Sequence, residues 1–195
     1  MRELPYTYAR VAPRGSARNC ASRALIDECH PRSAPRLSTM LELKMINLDE
    51  IATALSDQTD YEHVWLVDPR TGELAFWTSD TGVDGSNSVD LEDLDLVAID
   101  PLPASVWYRD MVDFIEGISD DTAGRRLGRA INGRGAFRRF KDELYEEYPG
   151  LVSAWQAFRD ARAKCRAVEW LLEQRLVDED AGERYLRRHQ DADLS

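Results

Sequence analysis

Apolar positions along this chain fall into two regimes. Between residues 61 and 99 they come in short runs bounded by turn residues, and from residue 104 onward they recur every three or four positions. The first regime predicts strands and the second helices. Residues 61–67 and 73–78 read as two strands joined by Asp68-Pro69-Arg70-Thr71-Gly72. Pro69 presets φ there, and Gly72 accepts the left-handed position that closes the turn. Residues 96–99 form a third, short strand, stopped by Pro101 and Pro103. Ahead of the hairpin, Asn47 caps a short helix through about Ser56, with Ile51 and Leu55 on one face.

The helical regime divides into five segments. Residues 104–118 place Trp107, Met111, Phe114, Ile115 and Ile118 on one stripe. Asp120 or Asp121 caps a second helix that runs to about Ile131. Residues 136–148 carry Phe137, Phe140, Leu144 and Tyr148 at helical spacing, and Pro149-Gly150 interrupts. Residues 151–176 are one long helix with Leu151, Trp155, Phe158, Cys165, Val168 and Leu172 on one side. Asp178 caps a last helix to about Arg188. Three short strands cannot make an independent sheet, so the helices must cover one face of it. The expected fold is α+β: a small antiparallel sheet, hairpin 61–78 plus a strand near 96–99, under a C-terminal layer of about five helices.

Residues 1–44 follow neither regime. They are rich in Arg, Ala, Ser and Pro, and only 22–28 could make a short helix. They have no apolar signal core, and Glu3, Asp27, Glu28 and Glu42 break up their basic character, which disfavours a targeting segment. The expectation is a disordered or non-native extension over 1–44, with Met40 and Met45 as later candidate starts, and a single domain over 45–190.

Charge changes the picture more than overall composition does. The net charge of −11 opposes general attraction to nucleic acid or anionic lipid. No apolar run approaches the roughly 20 residues needed to cross a bilayer. Residues 1–44 hold eight basic and four acidic side chains, 46–100 one Arg against fourteen acids, and 101–195 sixteen basic against eighteen acidic. Between Asp121 and Asp142 lie seven Lys and Arg and no acid. Three cysteines (Cys20, Cys29 and Cys165) make no disulfide framework and fit a reducing compartment.

The seven cations centre on Ala130-Ile131-Asn132-Gly133-Arg134-Gly135-Ala136-Phe137-Arg138-Arg139-Phe140-Lys141. This is a helix end, a glycine turn and a helix start. Gly133 and Gly135 can take positive φ, and the second helix begins with unbonded amides near Ala136 and Phe137. Gly133, Arg134, Gly135, Arg138, Arg139 and Lys141 are therefore the candidate ligand-binding residues, for a phosphate or carboxylate. The competing reading pairs the same arginines with the chain's own acids.

Other chemistry has less support. His30, His63 and His189 are scattered, so no metal is expected. The loop Asp80 to Glu92 has Gly82 at a calcium-loop ligand position and Leu91 where a bidentate Glu is needed. Gly133-x-Gly135 lacks both a preceding strand and the third glycine of a dinucleotide fingerprint, and no Lys-Ser or Lys-Thr makes it a P-loop. No Gly-x-Ser-x-Gly elbow is present. Phe137 and Phe140 flank Arg138 and Arg139 as base-stacking residues would, but their spacing with Leu144 is that of a core stripe.

The hairpin turn Asp68-Pro69-Arg70-Thr71-Gly72-Glu73, the central run from Ala130 to Asp142, Trp155-Gln156-Ala157-Phe158 and Trp170-Leu171 together resemble a bacterial family, uncharacterised protein family 0158, over residues about 46–175. The resemblance implies a small cytoplasmic α+β protein and supplies no activity, cofactor or catalytic residue. The functional expectation is a non-enzymatic interaction or regulatory module, cytoplasmic and cofactor-free. Its Gly-Arg-Gly corner would accept an anionic group from a protein or a small ligand, not from nucleic acid or a membrane. The alternative is an enzyme or regulator that binds a nucleotide or phosphate ester at the same corner.

Overall fold

The structure, a computed structural model, describes residues 40–59, 63–83, 85 and 89–190. The expectations for 1–39 lie outside the described residues, as do Asp84, Ser86 and Ser88 of the acidic loop. Helix α1 (Leu48–Ser56) is followed by strands β1 (His63–Val67), β2 (Leu74–Thr78) and β3 (Val97–Ile99). Helices α2 (Ala104–Glu116), α3 (Asp121–Ala130), α4 (Ala136–Glu147), α5 (Val152–Glu173) and α6 (Glu179–Gln190) follow among the described residues. This is the α+β architecture that the apolar pattern predicts.

The sheet is antiparallel with β1 in the centre, in the order β2-β1-β3. Val67 pairs with Leu74 on one side and Val97 on the other, and Trp65 with Phe76 and Ile99. The hairpin forms as its turn residues dictate. Gly72 takes φ +77°, and its amide donates to the Asp68 carbonyl at 2.8 Å. Three helix starts are capped by the expected side chains. Asn47 Oδ1 accepts from the Asp49 amide, Asp120 Oδ1 from those of Thr122 and Ala123, and Asp178 Oδ1 from that of Ala181.

The apolar side chains form two clusters. One joins the sheet, through Trp65, Val67, Leu74, Val97 and Ile99, to Ile51 and Leu55 of α1 and to Ala167, Trp170 and Leu171 of α5. The other gathers Met111 and Phe114 of α2, Leu127 of α3, Phe140 and Leu144 of α4, and Trp155 and Phe158 of α5. Helix α5 therefore spans both, with its first half among helices and its second half on the sheet. The helical layer is thus more than a cover for the sheet, because α2, α3 and α4 build a core of their own.

Two boundaries differ from the sequence expectation. Residues 40–44 were placed by pattern in the extension, yet the Leu41 amide bonds the Leu176 carbonyl at 2.8 Å and its side chain enters the sheet cluster. Leu41 and Leu43, both packed on that cluster, lie in a segment too short to show a periodicity. Helix α5 ends at Glu173, not near Leu176. The Leu176 amide bonds the Leu171 carbonyl and that of Arg175 bonds Leu172, which is a Schellman closure. Arg175 occupies its left-handed position at φ +57°, where glycine is usual, so the stop carries no sequence mark.

Beside the sheet, Asp57 gathers three side-chain donors. The Thr59 hydroxyl lies 2.6 Å from Oδ1, and Trp65 Nε1 and His63 Nε2 lie 2.8 and 3.0 Å from Oδ2. The hydrogen bond from Thr59, then those of Trp65 and His63, hold the Asp57 carboxyl far below the ordinary carboxylate range. A carboxylate with a depressed folded pKa stabilises fully above its unfolded pKa, and that contribution is lost as pH falls toward the folded value. Asp57→Asn should therefore melt below the wild type at about pH 6, and the gap should close as pH falls through about 4 toward 2. Thermal melts of both proteins across that range check this.

Candidate functional site

Asp110 stands on the apolar stripe of α2, one turn after Trp107 and one turn before Phe114. A carboxylate in that position is tolerated only with partners. Its exposure is 1%, and α5 supplies two guanidiniums. Arg166 donates from Nη1 to Oδ2 at 2.7 Å and from Nη2 to Oδ1 at 2.5 Å. Arg162 Nε lies 3.2 Å from Oδ1, and Arg162 Nη1 donates to Asp113 Oδ2 at 2.5 Å. Arg162 and Arg166 are one helical turn apart, so both face α2. The Arg166 guanidinium also sits over the Trp107 ring, 4.9 Å from its centroid, and that of Arg162 over Phe158 at 5.2 Å.

Next to this lock, α1, α2, α4 and α5 enclose a cleft of about 570 Å³ that Asp110 borders. Trp107 and Met111 line it from α2, Phe137, Phe140 and Tyr145 from α4, and Trp155 from α5. Phe140 is held edge-on against Trp155, with centroids 4.9 Å apart, whereas Phe137 and Tyr145 remain 46% and 44% exposed. The indole Nε1 of Trp107 is buried and meets no acceptor among the described residues. Lys141 lies in the same wall, 5.8 Å from the Tyr145 centroid, with no carboxylate within 4.0 Å among the described residues. The other charges around the cleft are engaged: Arg159 pairs with Asp160, and Asp49 with Lys164. The cleft thus offers aromatic walls and, among the described residues, one unpaired ammonium, and Trp107 in its wall carries a buried indole N–H without an acceptor.

The six residues singled out by sequence are divided among four places. Gly133 and Gly135 adopt φ +80° and +79°, as a stop followed by a restart requires, and Arg134 projects from the turn between them. Arg139 folds back onto the end of α3. Its Nε donates to the Ala130 carbonyl at 2.9 Å, its Nη2 to Asn132 at 2.6 Å, and its Nη1 to Arg134. Its fork therefore closes the carbonyl end of α3. Arg138 is 89% exposed and reaches Asp142 at 3.6 Å along the same helix. Lys141 belongs to the cleft. Nearby, Arg126 ties α3 to α4 through Glu143 at 2.7 Å and Glu147 at 3.1 Å.

Asp110, Arg162, Arg166 and Trp107 were not among the sequence candidates. The signal was an acid at an apolar stripe position, together with two arginines one turn apart on the longest helix. Phe137 was read with the core stripe and instead stands at the rim of the cleft. Among the described residues, no group of three or more His, Cys, Asp or Glu could hold a metal ion, and no helix is long and apolar enough to cross a membrane. His63 is held by Asp57, and His189 stacks on Tyr185 at 4.0 Å.

Removing one partner of a buried ion pair leaves an uncompensated charge, so Asp110→Ala should cost about 3–5 kcal/mol in denaturant unfolding. Arg139→Ala, which leaves the α3 carbonyls uncapped, should cost about 1 kcal/mol. Arg138→Ala should leave the melting temperature unchanged. Equal melting of the two arginine variants would remove Arg139 from its capping role.

A model of the family described as uncharacterised protein family UPF0158 matches residues 40–184. The chain is 28% identical over 127 residues to the Pseudomonas aeruginosa protein described as UPF0158 protein PA5073, an alignment covering 65% of this chain and 80% of that relative. No solved structure matches it significantly. The match begins at residue 40, where the described chain enters the core, and takes in both the charge lock and the cleft, so the chain belongs to the uncharacterised protein family UPF0158.

Proposed function

We propose that this chain is a non-enzymatic interaction module whose recognition site is the aromatic cleft along α4. The group it accepts is apolar and carries one carboxylate or phosphate, presented by a protein partner or by a small ligand. The observation that carries this reading is an unpaired ammonium in an apolar-walled cleft, one of whose wall residues, Trp107, holds a buried indole N–H without an acceptor among the described residues. A buried donor without an acceptor is costly, and a ligand oxygen relieves that cost on binding. Aromatic walls with a few convergent polar groups are the usual make-up of ligand clefts. The half-exposed Phe137 and Tyr145 supply apolar surface that burial would stabilise.

The Gly-Arg-Gly corner contributes in a reduced form. Arg139 is committed to the α3 carbonyls, which leaves Arg134 and Arg138 as solvent-facing cations at the start of the helix that bears Lys141. They raise the local potential for an incoming anion within an otherwise negative molecule. In this reading they steer the anionic group and Lys141 meets it.

Benzoate and phenyl phosphate are direct probes, with benzyl alcohol as the uncharged control. Titration should shift the Trp107 indole N–H resonance with both anions, and much less with the alcohol. Lys141→Ala should weaken phenyl phosphate about tenfold without lowering the melting temperature. Anions that leave the Trp107 resonance in place, or a lysine variant that binds as well as the wild type, would refute the reading.

A further inference from the structure

We propose a second binding site, for a small polyphosphate anion, in the cleft between the start of α1 and the outer face of α6. This cleft, of about 580 Å³, meets the aromatic one at Asp49, which lines both, but its four cations lie outside the aromatic lining. Lys44, Lys164, Arg184 and Arg188 line it, and Asp49 is the one carboxylate among its lining residues. Asp49 holds Lys164 at 3.1 Å. Lys44 meets Glu42 at 2.8 Å, but both side chains are mostly in water, where such a pair is weak. Arg184 and Arg188 have no carboxylate within 4.0 Å among the described residues. Their neighbour Arg187, outside the cleft, is paired with Glu183 at 2.9 Å. Among the described residues, four cations against two acids therefore leave two positive charges unneutralised at this one place, in a chain whose net charge is −11.

The placement of α6 makes this more than a scatter of surface arginines. Gly182 lies so close to α5 that a Cβ there would stand 2.5 Å from Leu172 Cδ2. The helix is seated tightly, and Arg184 and Arg188, one turn apart, look into the same cleft. Leu43, Ile46 and Leu48 give it an apolar wall, which strengthens charge interactions beside it. Two guanidinium forks and two ammoniums suit an anion with several phosphoryl groups better than a single phosphate, because each fork can take two oxygens. Four cations held by only two acids repel one another, so a bound polyanion would raise the stability of the native chain.

Tripolyphosphate is the probe, titrated into the full chain at about 150 mM salt and followed by calorimetry, ³¹P line broadening and thermal melting. Tripolyphosphate should bind and raise the melting temperature, with orthophosphate at least about tenfold weaker. The Arg184→Ala/Arg188→Ala double variant should lose at least about tenfold in affinity, while Arg187→Ala, which removes the same kind of charge from the same helix, should lose less than about twofold. Should the double variant not fold, Arg188→Gln alone serves the same comparison. ATP carries the same phosphate chain: tighter binding than tripolyphosphate assigns the site to a nucleotide, equal or weaker binding to polyphosphate, and both support a phosphate-chain site. No binding of tripolyphosphate, or an equal loss in Arg187→Ala, would overturn the proposal.

Discussion

The contact on which this molecule depends is the buried carboxylate of Asp110 between two arginines of α5. Taking an ionised group out of water costs several kcal/mol, and only good geometry with several hydrogen bonds offsets it. Here the offset comes from a bidentate fork, a second guanidinium, and two aromatic rings that cover the charges from the other side. Such a pair adds little net stability beyond what an apolar pair would give. What it adds is register. Asp110 can meet Arg166 only in one setting of α2 along α5, and that setting places Trp107 beneath Arg166 and at the wall of the cleft.

Helix α5 turns this local register into the overall arrangement. Its second half lies on the sheet through Ala167, Trp170 and Leu171, and its first half joins the helical core through Trp155 and Phe158. The lock sits between these halves, at Arg162 and Arg166. One rod thus carries the sheet, the helical core and the side chains that fix α2. The cleft lies where α1 from the first core meets α2 and α4 from the second. Its shape follows from the joint between the two cores, not from a loop.

Local chemistry was the legible part of this sequence. Asn47, Asp120 and Asp178 cap helices because a short acceptor before an apolar repeat can do little else. The hairpin follows from Pro69 and Gly72, and the double restart from Gly133 and Gly135. The illegible part was where charged side chains go, since an arginine of several rotatable bonds can reach many partners. Arg139 bonds carbonyls of the preceding helix end, which no spacing rule anticipates. Lys141 leaves the corner because its position on α4, four residues after Phe137, faces the aromatic cleft. The end of α5 was invisible because an arginine, not a glycine, holds its left-handed closing position. Asp110 alone was in plain view, as an acid interrupting a stripe of Trp107, Met111 and Phe114.

The central claim is that the lock serves position more than stability. The most direct measurement is the indole N–H spectrum of an Asp110→Leu/Arg166→Met double variant, in which the buried charges leave together and volume is kept. The account predicts a chain that still melts cooperatively near the wild-type temperature, with the Trp107 resonance displaced or broadened while those of Trp155 and Trp170 stay in place. A Trp107 resonance unchanged in that folded variant would contradict it.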